Sequence, residues 1–584
     1  MIYPLIEAEN QVLLIIKKIL SESNIEMTKD SFQNLIEIPP ENMGDFAFPC
    51  FFLSKRLKKS PNEIAKDLSE KIKKEITKNK WIEKIELKGA YINLYLKKEH
   101  LKSKVLDSLF EKKEKYGFLD NKKKKVIVEH TSANPNGPLH VGRARNPIIG
   151  DTIVRIFKAA GYNVESQFYL DDMGKQVAIL AWGINNIDLK KIPKSEYDKP
   201  DHKTVGFYQE ASKMMKEDNK VTKEISRIVK LAEEGDSKEI KNIHKAYSPV
   251  LKGINESLKR INIEIDNYIP ESNFVNDRSV DFVVTELKKT KYCDFEDGAY
   301  FLDLESFGIQ GRNTKFFFVR KDGTTLYATR DIAYHLWKIK NADLLVNILG
   351  EDHKLESKQV EIALNLVNAK ITPKVVFYSF VSLPGGKMST RKARVVYLDE
   401  LIDECVLRAC NEVKKRRGGE LTDKQMKKIA EIIGIGALRY NIIKVQPEKD
   451  IVFKWEEALN FEGNSSPFIQ YAHARACSIL EKNKEKIGDI DSKILVHNSE
   501  YYLIKKLAEF PLVINESCKN YKPHLIANYL YEIASCFNQF YRDCPVLIER
   551  DTKIKNSRLN LVDFTRIVLK NGLDLLGIIA PEEM

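Results

Sequence analysis

The stretch Ser132-Ala133-Asn134-Pro135-Asn136-Gly137-Pro138-Leu139-His140-Val141-Gly142-Arg143 decides the fold class of this 584-residue chain. Before it runs Lys125-Val126-Ile127-Val128-Glu129, an apolar run of strand length. After it, Asn146 to Ala160 has helical spacing. A strand, a Gly/Pro-rich turn and a helix N-terminus together cradle an anion, because the first N–H groups of a helix lack partners and its dipole favours negative charge there. His140 adds a donor for a phosphate oxygen. Gly142 leaves no side chain between the backbone and a flat ring such as adenine. Far downstream, Gly385-Gly386-Lys387-Met388-Ser389-Thr390-Arg391 reads as a hinged basic loop.

The pattern repeats outward from this turn. Tyr162 to Leu170 reads as a second strand, Leu344 to Leu349 as another, Leu355 to Val367 as a helix, and Lys374 to Phe380 as a further strand. Such alternation predicts a doubly wound, Rossmann-type parallel sheet, with ligands beyond the carboxyl ends of its strands. Ser132 and Asn134 fall after one strand, Gly350-Glu351-Asp352-His353 after another, and Gly385 to Arg391 after a third. Residues from about 175 to 300 read as an insertion, charged and helical in period from about 186 to 260. It shows no catalytic constellation, and a helical hairpin on the surface is expected.

Residues 1–120 predict a small α+β module, 121–400 the Rossmann-type domain, and 401–584 an all-helical domain. In the first, Ser60-Pro61-Asn62-Glu63 is a capping box with proline at the first helical position, and Ile64, Leu68, Ile72 and Ile76 follow as an apolar stripe. Gly89 to Leu96 alternates as a half-buried strand, and the Lys122 to Lys125 run marks the boundary with the next module. In the last, Leu525, Ile526, Tyr529, Leu530, Ile533, Phe537 and Phe540 form one wide helix face.

The formal net charge of +12, with a pI near 8.9, suits a polyanionic partner such as RNA and equally suits a lysine-rich solvated surface. The eight cysteines include no Cys-x-x-Cys pair, and nothing near Cys405 and Cys410 completes a zinc set. They read as reduced thiols of a cytoplasmic protein. No signal peptide is evident, and the apolar run Val12 to Ile16 is too short to span a membrane.

The His140 and Lys387 motifs resemble the two ATP motifs of class I aminoacyl-tRNA synthetases. Further motifs narrow the resemblance to the archaeal-type arginyl-tRNA synthetases. These are Pro40-Glu41-Asn42-Met43-Gly44-Asp45-Phe46, Gly436-Ala437-Leu438-Arg439-Tyr440, Phe468-Ile469-Gln470-Tyr471-Ala472-His473-Ala474-Arg475, and the ending Leu576 to Met584. Six motifs in order over the whole chain are far more specific than one. The resemblance makes residues 1–120 a tRNA-binding module, 121–400 the catalytic domain and 401–584 an anticodon-binding domain.

What the resemblance implies can be placed residue by residue. Glu129 and Asp331 match arginine-binding positions, with Tyr327 one turn before Asp331 on the same helix face. Carboxylates suit this substrate because the guanidinium fork pairs with them bidentately. Taken alone, Glu129 is equally a strand-end acid paired to a lysine, and Asp331 a solvated helix carboxylate. Ser132 and Asn134 match positions that hold the backbone end of the amino acid. Pro138, Leu139, His140, Gly142, Asp352, His353, Lys387 and Met388 are the implied ATP contacts. His140, Gly142, Arg143, Lys387, Ser389 and Arg391 form the implied catalytic set, with Mg2+ on the triphosphate and no protein cage for it.

Two positions depart from the family pattern: Arg143 stands where a second histidine is common, and Thr390 where a second lysine is usual. For tRNA, Phe46, Phe468, Tyr471, Arg475, Phe537 and Tyr541 are the candidates, the alternative for each ring being core packing. His473, in the same motif, reads as a buried structural histidine. The family further implies a monomer, and bound tRNA before adenylate forms. A glutamate enzyme would need basic residues at 129 and 331, and a cysteine enzyme usually brings a zinc set. A tRNA-binding protein without catalysis is the reading from another class, and the intact His140 and Lys387 motifs stand against it.

Overall fold

A computed structural model describes residues 2–23, 25, 35–40, 43–311, 314–382 and 396–584. Its first module follows local signals. Helix α1 (Pro4–Glu22) packs on α2 (Pro61–Ile76) and α3 (Lys98–Lys112). The Glu63 N–H donates to Ser60 Oγ at 3.3 Å and the Ser60 N–H to the Glu63 carboxylate at 3.0 Å, which closes the expected capping box. Ile64, Leu68, Ile72 and Ile76 are buried where α2 meets an antiparallel sheet. That sheet comprises β1 (Phe46–Pro49), β2 (Ile82–Lys88) and β3 (Tyr91–Leu96), with β3 central.

The run expected to be a buried strand is β4 (Lys125–Glu129), and Val126, Ile127 and Val128 are all buried. Consecutive apolar residues suit a parallel strand covered on both faces. Helix α4 (Arg145–Ala159) and β5 (Asn163–Leu170) follow within a residue of the expected bounds.

The insertion departs from the expected hairpin. Its part from Lys175 to Arg260 holds four α-helices: α5 (Lys175–Asn186), α6 (Pro200–Glu217), α7 (Asn219–Glu233) and α8 (Ser237–Arg260). The side chains of Asp218 and Asp236 cap the N-termini of α7 and α8, which divides what charge alone makes look continuous. Ala178, Ile179, Trp182, Ala211, Val221 and Ile225 close a small core among them.

Strand β6 (Asn267–Pro270) then rejoins the sheet. A separate antiparallel sheet of β7 (Cys293–Glu296), β8 (Ala299–Asp303) and β9 (Lys315–Val319), with α9 (Ser279–Lys288) beside it, precedes α10 (Tyr327–Asn341). Strand β10 (Leu344–Gly350), α11 (Lys354–Leu366) and β11 (Lys374–Tyr378) complete the doubly wound unit. All five strands are parallel, in the order β11-β10-β4-β5-β6. In this register Glu129 lies between Asn347 and Gln167.

Beyond the two-residue pairing of β12 (Val381–Ser382) with β13 (Ile451–Val452), the C-terminal part is helical. Its long helices are α12 (Leu398–Arg417), α13 (Asp423–Ile443), α14 (Ser466–Lys482), α15 (Asn498–Asn520), α16 (His524–Asp543) and α17 (Thr552–Leu575). Buried Arg439 fastens this domain to the sheet. It donates to Asp151 of α4 at 2.5 Å, to the Ile261 carbonyl at 2.6 Å and to the Leu576 carbonyl at 2.6 Å. Gln470 and His473 bond the carbonyls of Ile579 and Pro581, so His473 is indeed a buried structural residue. Among the described residues no helix is long and apolar enough to cross a membrane.

Candidate active site

Beyond Glu129 the backbone turns sharply, with Thr131 at φ +70° and Ser132 at φ +37°. Residues with a Cβ hold such angles at a cost of about 1–3 kcal/mol each, and only where surrounding bonds impose them. Asn146 supplies those bonds: it accepts the Thr131 N–H at 2.6 Å and donates to the Ile348 carbonyl at 2.9 Å. The half-buried Ser132 accepts the Tyr169 N–H at 3.1 Å, which ties the turn to β5. His130 packs so close to α4 that a Cβ on Gly150 would lie 2.3 Å from its ring. Burial pushes the His130 imidazole down to about 4.

Asn134 is half-buried, Pro138 and Leu139 are buried, and buried Gly142 lies in a short turn, Val141–Arg143, that leads into α4. His140 and Arg143 are both exposed beside that helix N-terminus. Partial desolvation by the surrounding atoms, then the nearby Arg143 charge, lowers the His140 imidazole below its usual range. Arg145 is wholly buried and donates to the carbonyls of Ser379, Lys449 and Gln446 at 2.7 to 2.8 Å. This fixes the start of α4 against the strand ends.

The candidate arginine pocket lies across β4, β10 and α10. Buried Lys338 of α10 donates to Glu129 Oε2 at 2.7 Å and to Asn347 Oδ1 at 3.2 Å. Glu129 is thus paired to a lysine, and its Oε1 has Ser132 Oγ at 3.4 Å. Asp331 is not a freely solvated carboxylate: His335 Nδ1 lies 3.2 Å from its Oδ1. Burial alone would raise the Asp331 carboxyl, but His335, Lys338 and His353 outweigh it and hold the group below its usual value. The two acids are linked through His335 and Lys338, whose side-chain nitrogens are 3.3 Å apart. Neither His335 nor Lys338 was expected, yet both stand at helical spacing from Asp331, four and seven residues on. Tyr327, at the start of α10, is exposed at the rim and hydrogen bonds Glu356 of α11.

Asp352 and His353 occupy the turn after β10, both exposed. His353 Nδ1 meets Glu356 at 3.0 Å, and this bond, against burial, raises its imidazole above the ordinary value. Lys387, Met388, Ser389, Thr390 and Arg391 lie outside the described residues. The segments flanking them are placed. Before them β12 pairs with β13; after them the Val141 N–H donates to the Val396 carbonyl at 3.0 Å and the Leu398 N–H to the Leu139 carbonyl at 2.7 Å. Tyr397 stacks on His140 with centroids 5.6 Å apart.

The candidate tRNA residues divide. Phe537 is 0% exposed and Phe46 2% exposed, so neither ring has a free face to stack on a base. Both expectations are corrected to core packing. Phe46 opens β1 opposite Leu94, and Phe537 belongs to the wide apolar face of α16. Half-buried Phe468 lies against Tyr531, while Tyr471 and Tyr541 are each 42% exposed. The Arg475 guanidinium lies between them, 4.7 Å from one ring and 5.4 Å from the other. Phe468, Tyr471 and Arg475 line a cleft of about 720 Å³ together with Arg416, Arg417 and Met584.

Comparison with known proteins bears on the same regions. Residues 105–455 match the family model described as "tRNA synthetases class I (R), catalytic domain". Residues 10–96 match "Arginyl tRNA synthetase N terminal domain" and 469–584 match "DALR anticodon binding domain". The arginine--tRNA ligase of Methanocella arvoryzae is 47% identical over 534 residues, covering 91% of this chain and 92% of that one. The Methanosarcina barkeri arginine--tRNA ligase is 40% identical over 585 residues, covering 99% and 100%. The solved Thermus thermophilus arginyl-tRNA synthetase superposes with a TM-score of 0.83 at 26% identity, covering 99% of this chain and 100% of that one. With a matched catalytic-domain model over more than half its length, and relatives aligned nearly end to end, the chain belongs to the arginyl-tRNA synthetase family.

Proposed function

We propose that the two linked carboxylates and the neighbouring phosphate turn perform, in this chain, the arginylation of tRNA that goes with its family. ATP is the co-substrate. The observation that carries the assignment is the pairing of Glu129 and Asp331 with nitrogen donors of one helix, Lys338 and His335, beyond the strand that leads into the His140 turn. Each acid keeps acceptor capacity for a guanidinium N–H. Ser132 and Asn134 hold the ammonium and carboxylate end, and Tyr327 closes the rim.

The arginine carboxylate attacks the α-phosphorus of ATP, the bond to the bridging oxygen breaks, and pyrophosphate leaves. The nucleophile is already ionised, so no general base is needed, and catalysis consists of positioning and charge stabilisation. His140 donates an N–H to a phosphate oxygen, and Arg143 supplies charge where relatives often have histidine. Lys387, Ser389 and Arg391 steady the departing pyrophosphate, and Gly142, Met388, Asp352 and His353 frame the adenosine. A terminal ribose hydroxyl of tRNA then attacks the adenylate carbonyl and AMP leaves. Tyr471, Arg475 and Tyr541, with Phe468 behind them, receive anticodon bases by stacking.

Among the described residues, one group of three metal-binding side chains occurs, Asp201, His202 and Asp399. The Lys199 ammonium lies 2.7 Å from Asp399 Oδ2 and takes the cation's place. Mg2+ would enter on the triphosphate, where it would neutralise phosphate charge. Among the described residues no two cysteines form a disulfide, in keeping with a cytoplasmic setting, and the family reading is of a monomer. The test is ATP–pyrophosphate exchange with tRNA present and each amino acid in turn. Exchange with arginine alone is expected; exchange with another amino acid, or none with arginine, overturns the assignment.

A further inference from the structure

We propose that Tyr397, His202 and Asp399 are positioning residues for His140, so that the helical insertion sets the geometry of the phosphate site. The inference rests on the reading of His140 as a phosphate ligand. Asp399, the second residue of α12, is 1% exposed and wholly engaged. Its Oδ2 accepts from Lys199 Nζ at 2.7 Å, meets His202 Nε2 at 2.9 Å and accepts from Ser257 Oγ at 3.0 Å. Its Oδ1 takes Ser257 Oγ at 3.1 Å and has Arg260 at 3.8 Å. All four partners come from the insertion, two at the head of α6 and two from α8.

The ring of His202 continues the chain of contacts. Tyr197 stacks on it at 4.5 Å, and Tyr397 meets it edge to face at 5.1 Å. Tyr397 in turn stacks on His140 at 5.6 Å with planes 27° apart. A second tie runs parallel: Asp403 accepts from the Tyr197 hydroxyl at 2.8 Å and from Arg260 at 2.7 Å. The approach is close throughout. A Cβ on Gly253 would lie 2.2 Å from Asp201, and one on Gly137 of the phosphate turn 2.6 Å from Val205 of α6. Asn136 of the same turn donates to Gln176 of α5 at 2.6 Å.

Apolar side chains of similar volume would hold two surfaces together at least as well as buried ions do. Ions add direction, because a saturated carboxylate admits one arrangement of its donors. That direction reaches the face of the exposed His140 ring through two aromatic contacts. A phosphate ligand displaced by about 1 Å costs on the order of 100-fold in rate.

The test uses the full chain in the tRNA-dependent exchange assay, comparing His202→Leu, Tyr397→Leu and Tyr397→Phe with the unmodified protein. Both leucine variants are expected to raise the KM for ATP or lower the exchange rate by about 10- to 100-fold, with the KM for arginine unchanged. Tyr397→Phe, which keeps the ring, stays close to the unmodified chain. Glu224→Ala, which removes the Trp182–Glu224 bond elsewhere in the insertion, leaves both constants unchanged. If His202→Leu fails to fold, the two Tyr397 variants decide. The inference is overturned if the leucine variants keep their ATP constants, if ATP and arginine constants fall together, or if phenylalanine behaves as leucine does. Absence of any arginine-dependent exchange in the unmodified chain, or an unchanged KM for ATP in His140→Ala, overturns the underlying reading instead.

Discussion

Two clusters of acids and cations border the phosphate turn, and they differ in how much bonding capacity they have left. Around Glu129 and Asp331, each carboxylate gives one oxygen to a nitrogen of α10, Lys338 at 2.7 Å and His335 at 3.2 Å. Around Asp399, both oxygens are taken, by lysine, histidine, serine and arginine. Burying charge is unfavourable in either place unless it is paired. The half-used pair can still accept a guanidinium, whereas the saturated one can only hold its neighbours in place. Spare acceptor capacity, more than the number of acidic residues, separates a binding pocket from a clasp.

The largest effect expected from this contrast is on stability. Lys338→Met leaves the Glu129 carboxylate buried without its cation and should lower stability by about 3–5 kcal/mol in urea unfolding. A loss below about 1 kcal/mol would mean that Glu129 is hydrated as a surface acid is. Next comes Asp331→Asn, which should lower kcat/KM for arginine by about 2–4 kcal/mol, roughly 30- to 1000-fold, with the KM for ATP unchanged. Equal losses for both substrates would show that this acid does not serve the amino acid.

The saturated cluster is sharpened by pH. Burial would raise the Asp399 carboxyl, but bonds from His202 and Lys199 outweigh it and hold the group at about 2. A folded-state value below the unfolded one means that the stabilisation is complete above about pH 4 and is lost as pH falls towards 2. Asp399→Asn should therefore be less stable than the unmodified chain by about 2 kcal/mol at pH 6, with the gap closing across that window. A constant gap would refute the ionic account. The smallest effect belongs to a third kind of surface, the exposed cation–π stack. Tyr471→Ala should weaken tRNA binding by about 1 kcal/mol, at the low end for one stacked base, read as a raised KM for tRNA with arginine constants unchanged.

The ends of the sheet strands were legible because buried parallel strands need consecutive apolar residues, and Val126 to Val128 supply them. The capping box at Ser60 was legible because both partners lie within one turn. His335 and Lys338 were within reach of the same reasoning, at four and seven residues from Asp331, but a basic residue on a helix usually faces solvent. The aromatic positions show the limit. Phe537 and Tyr541 lie one turn apart on α16, yet one is wholly buried and the other 42% exposed. Spacing shows that two side chains are neighbours on a helix and not which of them the next helix covers.

What the sequence determined by itself is therefore local: the strand–turn–helix around His140, the caps, the apolar stripes and the order of the motifs. All of these depend on contacts within a few turns of chain. Only the tertiary structure decided that Asp399 meets His202 and Lys199 across about two hundred residues, and that Glu129 pairs with Lys338 of a distant helix. Such pairings follow from the free energy of removing charged groups from water together. That energy depends on which surfaces come into contact when the chain packs, and no short stretch of residues encodes it.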